Sequence, residues 1–165
     1  MQEKLLAAIK YRQQIIACCR QLQQAAEILS IPVSATEQYP KGLGRTETSL
    51  RESMSEIPEK LRFSCATTLD WLTDRESPRH QVVVAGIESH VCVMQTAYDL
   101  LSQGFRVTIP ADAVGSRKKF DWKMALRRLE GAGAIITSTE AVLFEWCETA
   151  ERPEFKAISK LVTGR

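Results

Sequence analysis

Residues 81–86 read Gln-Val-Val-Val-Ala-Gly. A β-branched run that stops at glycine is the signature of a strand buried on both faces, and such strands belong to parallel sheets covered by helices. The period then changes. Val91, Met94, Ala97, Tyr98 and Leu101 recur at helical spacing over 90–103, with Ser89 placed to cap that helix and Gly104 to close it. A strand over 106–109, a helix over 121–130 closed by Gly131, a strand over 134–137, a helix over 139–147 and a last helix after Pro153 continue the alternation.

The first half is less regular. Leu5, Ile9, Ile15, Leu22, Ala26 and Leu29 predict one helix over 4–29, ended at Ile31-Pro32. Short strands are expected at 33–36 and within 57–63, with turn chemistry at 38–44, loop or short helix at 46–55 and a helix at 65–74. Strands alternating with helices through short connections imply an α/β fold of three layers, α/β/α, doubly wound around a mostly parallel sheet, in one domain over 1–165. Ligands of such sheets sit at the carboxyl ends of the strands, which puts residues 86–92 at the expected site.

A formal net charge of +2 gives no reason to expect nucleic acid or a membrane surface as partner. The basic clusters at Arg117-Lys118-Lys119 and Arg127-Arg128 read as solvated helix faces. No apolar run approaches the roughly 20 residues of a membrane span. The five cysteines, an odd number without a signal peptide, read as reduced thiols of a cytoplasmic protein. There is no CxxC pair, and His80 and His90 lack metal spacing, so no metal site is expected.

Cys92 falls in the first turn of a helix directly after a strand. The helix N-terminus favours thiolate over thiol, and the backbone N–H groups of Val91 and Cys92 are positioned to face an oxyanion. A cysteine off the apolar stripe of its own helix is less readily a packing residue, although buried cysteines are common small hydrophobes. Cys18, Cys19 and Cys147 lie inside helical patterns, and Cys65 begins a helix. A Cys-x5-Arg phosphatase loop is excluded because position 98 is Tyr. His90, two positions from Cys92, diverges from it and reads as a pocket or surface residue. Lys60 ends a strand-like segment, a place where side chains converge on a pocket.

The segments GIESHVCV (86–93), TAYDLL (96–101) and GFRVTIPADAVGSR (104–117), with GAIITSTE (133–140), Val142-Leu143-Phe144 and TEQYPKGLG (36–44), resemble the isochorismatase-like cysteine hydrolases. The likeness is nearest to the branch of isochorismatase-domain-containing proteins, which includes chains labelled ribonucleases. It covers nearly the whole chain. The resemblance implies a six-stranded parallel sheet and a Cys-Lys-Asp triad that attacks an amide-like or ester-like carbon, with no cofactor and a homo-oligomeric state. Cys92 matches the nucleophile and Lys60 the lysine, in the pattern Lys60-x-x-Phe63-Ser64. The family's cis peptide falls at Ile87-Glu88, where it would aim the oxyanion N–H groups, Val91 among them. Gln2 matches the Gln of the family's Asp-x-Gln, so the central first strand and its Asp would lie immediately before Met1, and the chain reads as N-terminally truncated relative to the family. Glu37 is the best stand-in for that Asp. Gln2, Glu37, Phe63 and His90 are the candidate pocket residues. The presence of Cys92 points to thiol-dependent amidase-like members rather than vinyl-ether-cleaving isochorismatases, and the Asp/His cluster of nicotinamidases is not found. The alternative is a non-catalytic homologue, an oligomeric scaffold or small-molecule binder, suggested by the unmatched Asp.

Overall fold

A computed structural model describes residues 1–69 and 79–164. In chain order the elements are α1 (Glu3–Ala7), α2 (Arg12–Ile28), β1 (Glu37–Gln38), α3 (Pro40–Leu43), α4 (Thr48–Arg51), β2 (Glu59–Lys60), β3 (Gln81–Val83), β4 (Gly86–Ile87), a wide π-turn over Ser89–Val93, α5 (Met94–Ser102), β5 (Arg106–Pro110), β6 (Val114–Gly115), α6 (Lys119–Gly131), β7 (Ile135–Thr137), α7 (Thr139–Cys147) and α8 (Phe155–Thr163).

Among the described residues the strands pair parallel, β1 with β2, β3 with β5, β5 with β7, and β4 with β6, and an isolated antiparallel bridge joins Gln2 to Thr46. Successive strand residues point to opposite faces, and β3 shows the result. Val83 packs with α2, α7 and α8, while Val82 and Val84 pack with α5 and α6. The two apolar clusters therefore lie on opposite faces, giving the three layers and open parallel architecture that the alternation predicts.

The six-stranded sheet implied by the resemblance is instead three separate ladders. The cause is visible between β3–β4 and β5–β6. Val83 pairs with Thr108, yet Gly86 pairs with Val114, so the second strand carries extra residues. Asp112 leaves the ladder there, and its Oδ1 accepts from the Thr139 backbone N–H at 2.8 Å and hydroxyl at 2.9 Å. The gap between β1 and β4 holds Met1 and Gln2. The Met1 side chain lies against Gly86, and the Gln2 side-chain amide pairs with β1, accepting from Gln38 N at 2.8 Å and donating to Gln38 O at 2.9 Å. A side chain thus does the work of a strand neighbour.

Several expectations need correction. The helix over 4–29 is broken at 8–11, where the chain turns while Ile9 stays buried, so the apolar period runs on across the break. The strand expected at 33–36 forms at Glu37–Gln38, in polar residues, because the partner there is the backbone of 58–60. Of the helix expected at 65–74, residues 66–68 form a turn and the stretch from 70 lies outside the described residues. Ser89 opens the π-turn but does not cap it, and its buried hydroxyl has no partner among the described residues. Helix α6 runs through Gly131, and Gly133, at φ +98°, makes the turn that only glycine adopts freely.

Candidate active site

Two strand ends and one helix start converge on Cys92. β4 delivers the chain into the π-turn, whose extra backbone room carries Cys92 just ahead of α5; such widened turns recur at functional sites. β2 ends at Lys60, which is 9% exposed. The Lys60 ammonium lies 3.9 Å from Cys92 Sγ and donates to Gln38 Oε1 at 2.7 Å, Arg62 O at 3.0 Å and Phe63 O at 2.6 Å. Three neutral oxygens hold the cation in place and leave it facing the sulfur without a competing carboxylate bond.

The electrostatics of Cys92 are a contest. Burial pushes the thiol up, Lys60 pulls it down, and the balance stays above the ordinary thiol value. The helix-start field and the lysine therefore do not by themselves make a thiolate.

The Ile87–Glu88 peptide bond is cis, at the position the resemblance singles out. Glu88 is buried, and its Oε1 accepts from Arg117 N at 3.1 Å and Arg117 Nε at 3.0 Å. The Val91 N–H, expected to face an oxyanion, donates to Glu88 O at 3.1 Å. That expectation is corrected. His90 turns away from Cys92: its Nδ1 pairs with Ser116 Oγ at 2.9 Å, and its Nε2 lies 4.0 Å from Asp121 Oδ2. With Arg117, Lys118 and Asp121 it lines a shallow open depression.

Cys92 and Lys60 are brought together; the other candidates play different parts. Gln2 is buried and donates to Gln38 O and to Gly44 O at 2.7 Å, so it ties segments together. Glu37 is fully buried and accepts from Thr46 N at 2.7 Å, Arg45 Nη1 at 2.9 Å and Arg51 Nη1 at 3.1 Å. Burial raises its pKa, but the hydrogen bonds from Thr46 and Arg45 outweigh it and hold the carboxyl below its ordinary value. So engaged, Glu37 has its carboxylate oxygens turned to Thr46, Arg45 and Arg51. Phe63 contributes its carbonyl to Lys60, while the residue is half exposed.

Sequence reasoning missed Gln38, Arg117 and Thr96. Gln38 sat inside a segment read only as turn chemistry, and Arg117 inside a cluster read as a solvated face. Thr96 bonds the Cys65 N–H at 3.0 Å, and nothing in its helical pattern marks it. Among the described residues, no group of three His, Cys, Asp or Glu side chains is placed to hold a metal ion, and no helix is long and apolar enough to cross a membrane.

The fold and this corner define an open parallel α/β protein with a thiol–ammonium pair at the carboxyl ends of its strands. Comparison with known proteins gives the family. The model of the isochorismatase domain matches residues 1–141. Isochorismatase domain-containing protein 1 of Danio rerio is 44% identical over 98% of this chain, which spans 58% of the relative's length. The structure of MAR1 ribonuclease from Caenorhabditis elegans superposes with a TM-score of 0.90 at 43% identity, covering 98% of this chain and 84% of that one. The YcaC gene product of Escherichia coli, described as an octameric hydrolase of unknown specificity, shares the fold at a TM-score of 0.71 and 19% identity, over 99% of this chain and 90% of that one. The chain belongs to the isochorismatase family, whose members are generally hydrolytic.

Proposed function

We propose that the protein is a cysteine hydrolase acting on a small substrate with an amide-like C–N bond or an ester-like bond. The observation that carries this reading is the Lys60 ammonium 3.9 Å from Cys92 Sγ, held by oxygens other than carboxylates. In the proposed reaction Cys92 gives up its proton and its sulfur attacks the substrate carbon, forming a C–S bond. The Cys92 N–H and the Lys60 ammonium stabilise the developing oxyanion. The leaving amine or alcohol departs with a proton, and water then cleaves the thioester and restores the thiol.

The resemblance assigns the transfer of this proton, from thiol to leaving group, to an aspartate general acid/base. Homo-oligomeric assembly in the cytoplasm completes the reading; it follows the family expectation.

A second reading, a non-catalytic homologue that binds a small molecule, is favoured by one observation. Among the described residues no carboxylate hydrogen-bonds to the Cys92 sulfur, and the buried Glu37 and Glu88 are both engaged by arginines. A turnover assay on amides, ureides and esters, with RNA included because the nematode relative is described as a ribonuclease, decides between them. Turnover that Cys92→Ala lowers by at least 10³-fold in a folded protein supports the hydrolase. Turnover untouched by Cys92→Ala removes the nucleophile, and binding without turnover establishes the second reading.

A further inference from the structure

Cys65 and Cys92 are partly exposed, whereas Cys18, Cys19 and Cys147 are buried. The two exposed thiols also share a neighbourhood. Cys65 is fastened to α5 through Thr96, whose Oγ1 accepts from Cys65 N at 3.0 Å and donates to Cys65 Sγ at 3.6 Å. Thr96 stands about one turn beyond Cys92, on the same side of the helix. A second tether runs through Lys60, which contacts Cys92 Sγ at 3.9 Å and Phe63 O, two residues before Cys65, at 2.6 Å. Cys92 also feels a charge on Cys65. The hydrolytic scheme gives Cys65 nothing to do.

We propose that Cys65 is the resolving thiol of a hydroperoxide-sensitive pair, closing a reversible disulfide with Cys92 that silences the nucleophile and protects it. The inference rests on Cys92 being the reactive thiol. The thiolate fraction of Cys92, which Lys60 favours against burial, attacks the peroxide; an S–O bond forms as the O–O bond breaks, and the departing oxygen takes up the thiol's proton and leaves as water or an alcohol, giving the sulfenic acid. Cys65 sulfur then attacks that sulfur, the S–S bond forms, the S–O bond breaks and water departs. Overall, two thiols lose two hydrogens and the peroxide is reduced. A thiol reductant reverses the change. Disulfide geometry demands Cα atoms roughly 4.4–6.8 Å apart. Cys65 lies outside any helix or strand, so the adjustment falls on its turn while α5 stays in place.

The test is hydrogen peroxide treatment of the purified chain, blocking of free thiols with N-ethylmaleimide, and tryptic mapping. Cleavage separates Cys65, in residues 63–75, from Cys92, in residues 80–106. The expected product is these two peptides linked, two hydrogens lighter than their sum and released by dithiothreitol. In Cys65→Ser the sulfenic acid on Cys92 is trapped by dimedone, and the fraction of Cys92 recovered by dithiothreitol falls several-fold as oxidation proceeds to the sulfinic acid. The wild-type map needs no variant to fold. Cys92 that alkylates readily but yields no linked peptide overturns this inference alone. Cys92 inert to peroxide and to alkylating agent overturns it together with the nucleophile reading. A linked peptide in a chain without turnover upholds the disulfide and removes the hydrolase.

Discussion

The two halves of the molecule are held together differently. From β3 onward, parallel ladders are covered by helices whose apolar faces meet in a continuous core, with Ala97, Leu100, Val107, Ile109 and Leu129 almost wholly buried. Before Leu69, α2 shares an apolar cluster with α7 and α8, but the strands are two residues long and polar side chains do much of the joining around them: Gln2 to Gln38, Lys60 to Gln38, Glu37 to Arg45, Thr46 and Arg51. One half contributes Cys92 and the other the Lys60 cation facing it. The site thus joins a rigid apolar body to a polar clasp, and the clasp is the part that charge and pH can loosen.

The comparison is broken or sharpened first by truncation. Leu129→Ala removes a fully buried side chain from the apolar body and is expected to cost about 3–4 kcal/mol. Glu37→Ala, which leaves the buried Thr46 N–H without its acceptor, is expected to cost about 2–3 kcal/mol. Most of the arginine attraction is discounted, because Arg45 and Arg51 are largely solvated. Urea unfolding of both variants measures this, and a Glu37→Ala protein within about 0.5 kcal/mol of wild type would end the idea of a polar clasp.

Acid should separate the halves next. The folded-state pKa of Glu37 lies below its ordinary value, so its contribution is full above the unfolded carboxylate value and is lost as pH falls through the folded one. The stability gap between wild type and Glu37→Gln is expected to be constant near neutrality and to close as pH drops below the ordinary carboxylate range. A gap that does not change with pH would assign the effect to shape rather than charge. Cys92 titrates by the opposite logic. Its thiol lies above the ordinary value although Lys60 pulls it down, so Lys60→Met should move the pH profile of Cys92 alkylation to still higher pH. An unmoved profile would take Lys60 out of the proposed site.

The same division explains what was legible in the sequence. Val82–Val84, the stripe of α5 and the β7–α7 segment declared themselves by their apolar pattern, although the run over 81–86 splits into β3 and β4 and the helix expected over 90–103 begins at Met94 after the π-turn. The pairing of Cys92 with Lys60 was legible only through resemblance, since nothing in spacing brings positions 60 and 92 together. β1 was misplaced because Glu37 and Gln38 are polar, and their burial is stabilised by side chains arriving from Gln2, Arg45 and Arg51. No window of hydropathy contains that information. The break in α2's approach was hidden for the opposite reason, because Ile9 keeps the apolar period through the turn.

The smallest expected effect lies where the halves meet. Ser89 is completely buried at the start of the π-turn, and its hydroxyl has no hydrogen-bond partner among the described residues. An unpaired buried hydroxyl costs free energy that a methyl group in the same place does not. If the clasp and the body meet as described, Ser89→Ala should leave stability within about 0.5 kcal/mol of wild type, or raise it slightly. A loss of 1 kcal/mol or more would mean that the hydroxyl is partnered in solution. In that case a turnover assay of Ser89→Ala distinguishes the partner. Unchanged kcat with lower stability makes it structural, whereas a raised KM at unchanged stability makes Ser89 a substrate contact beside Cys92.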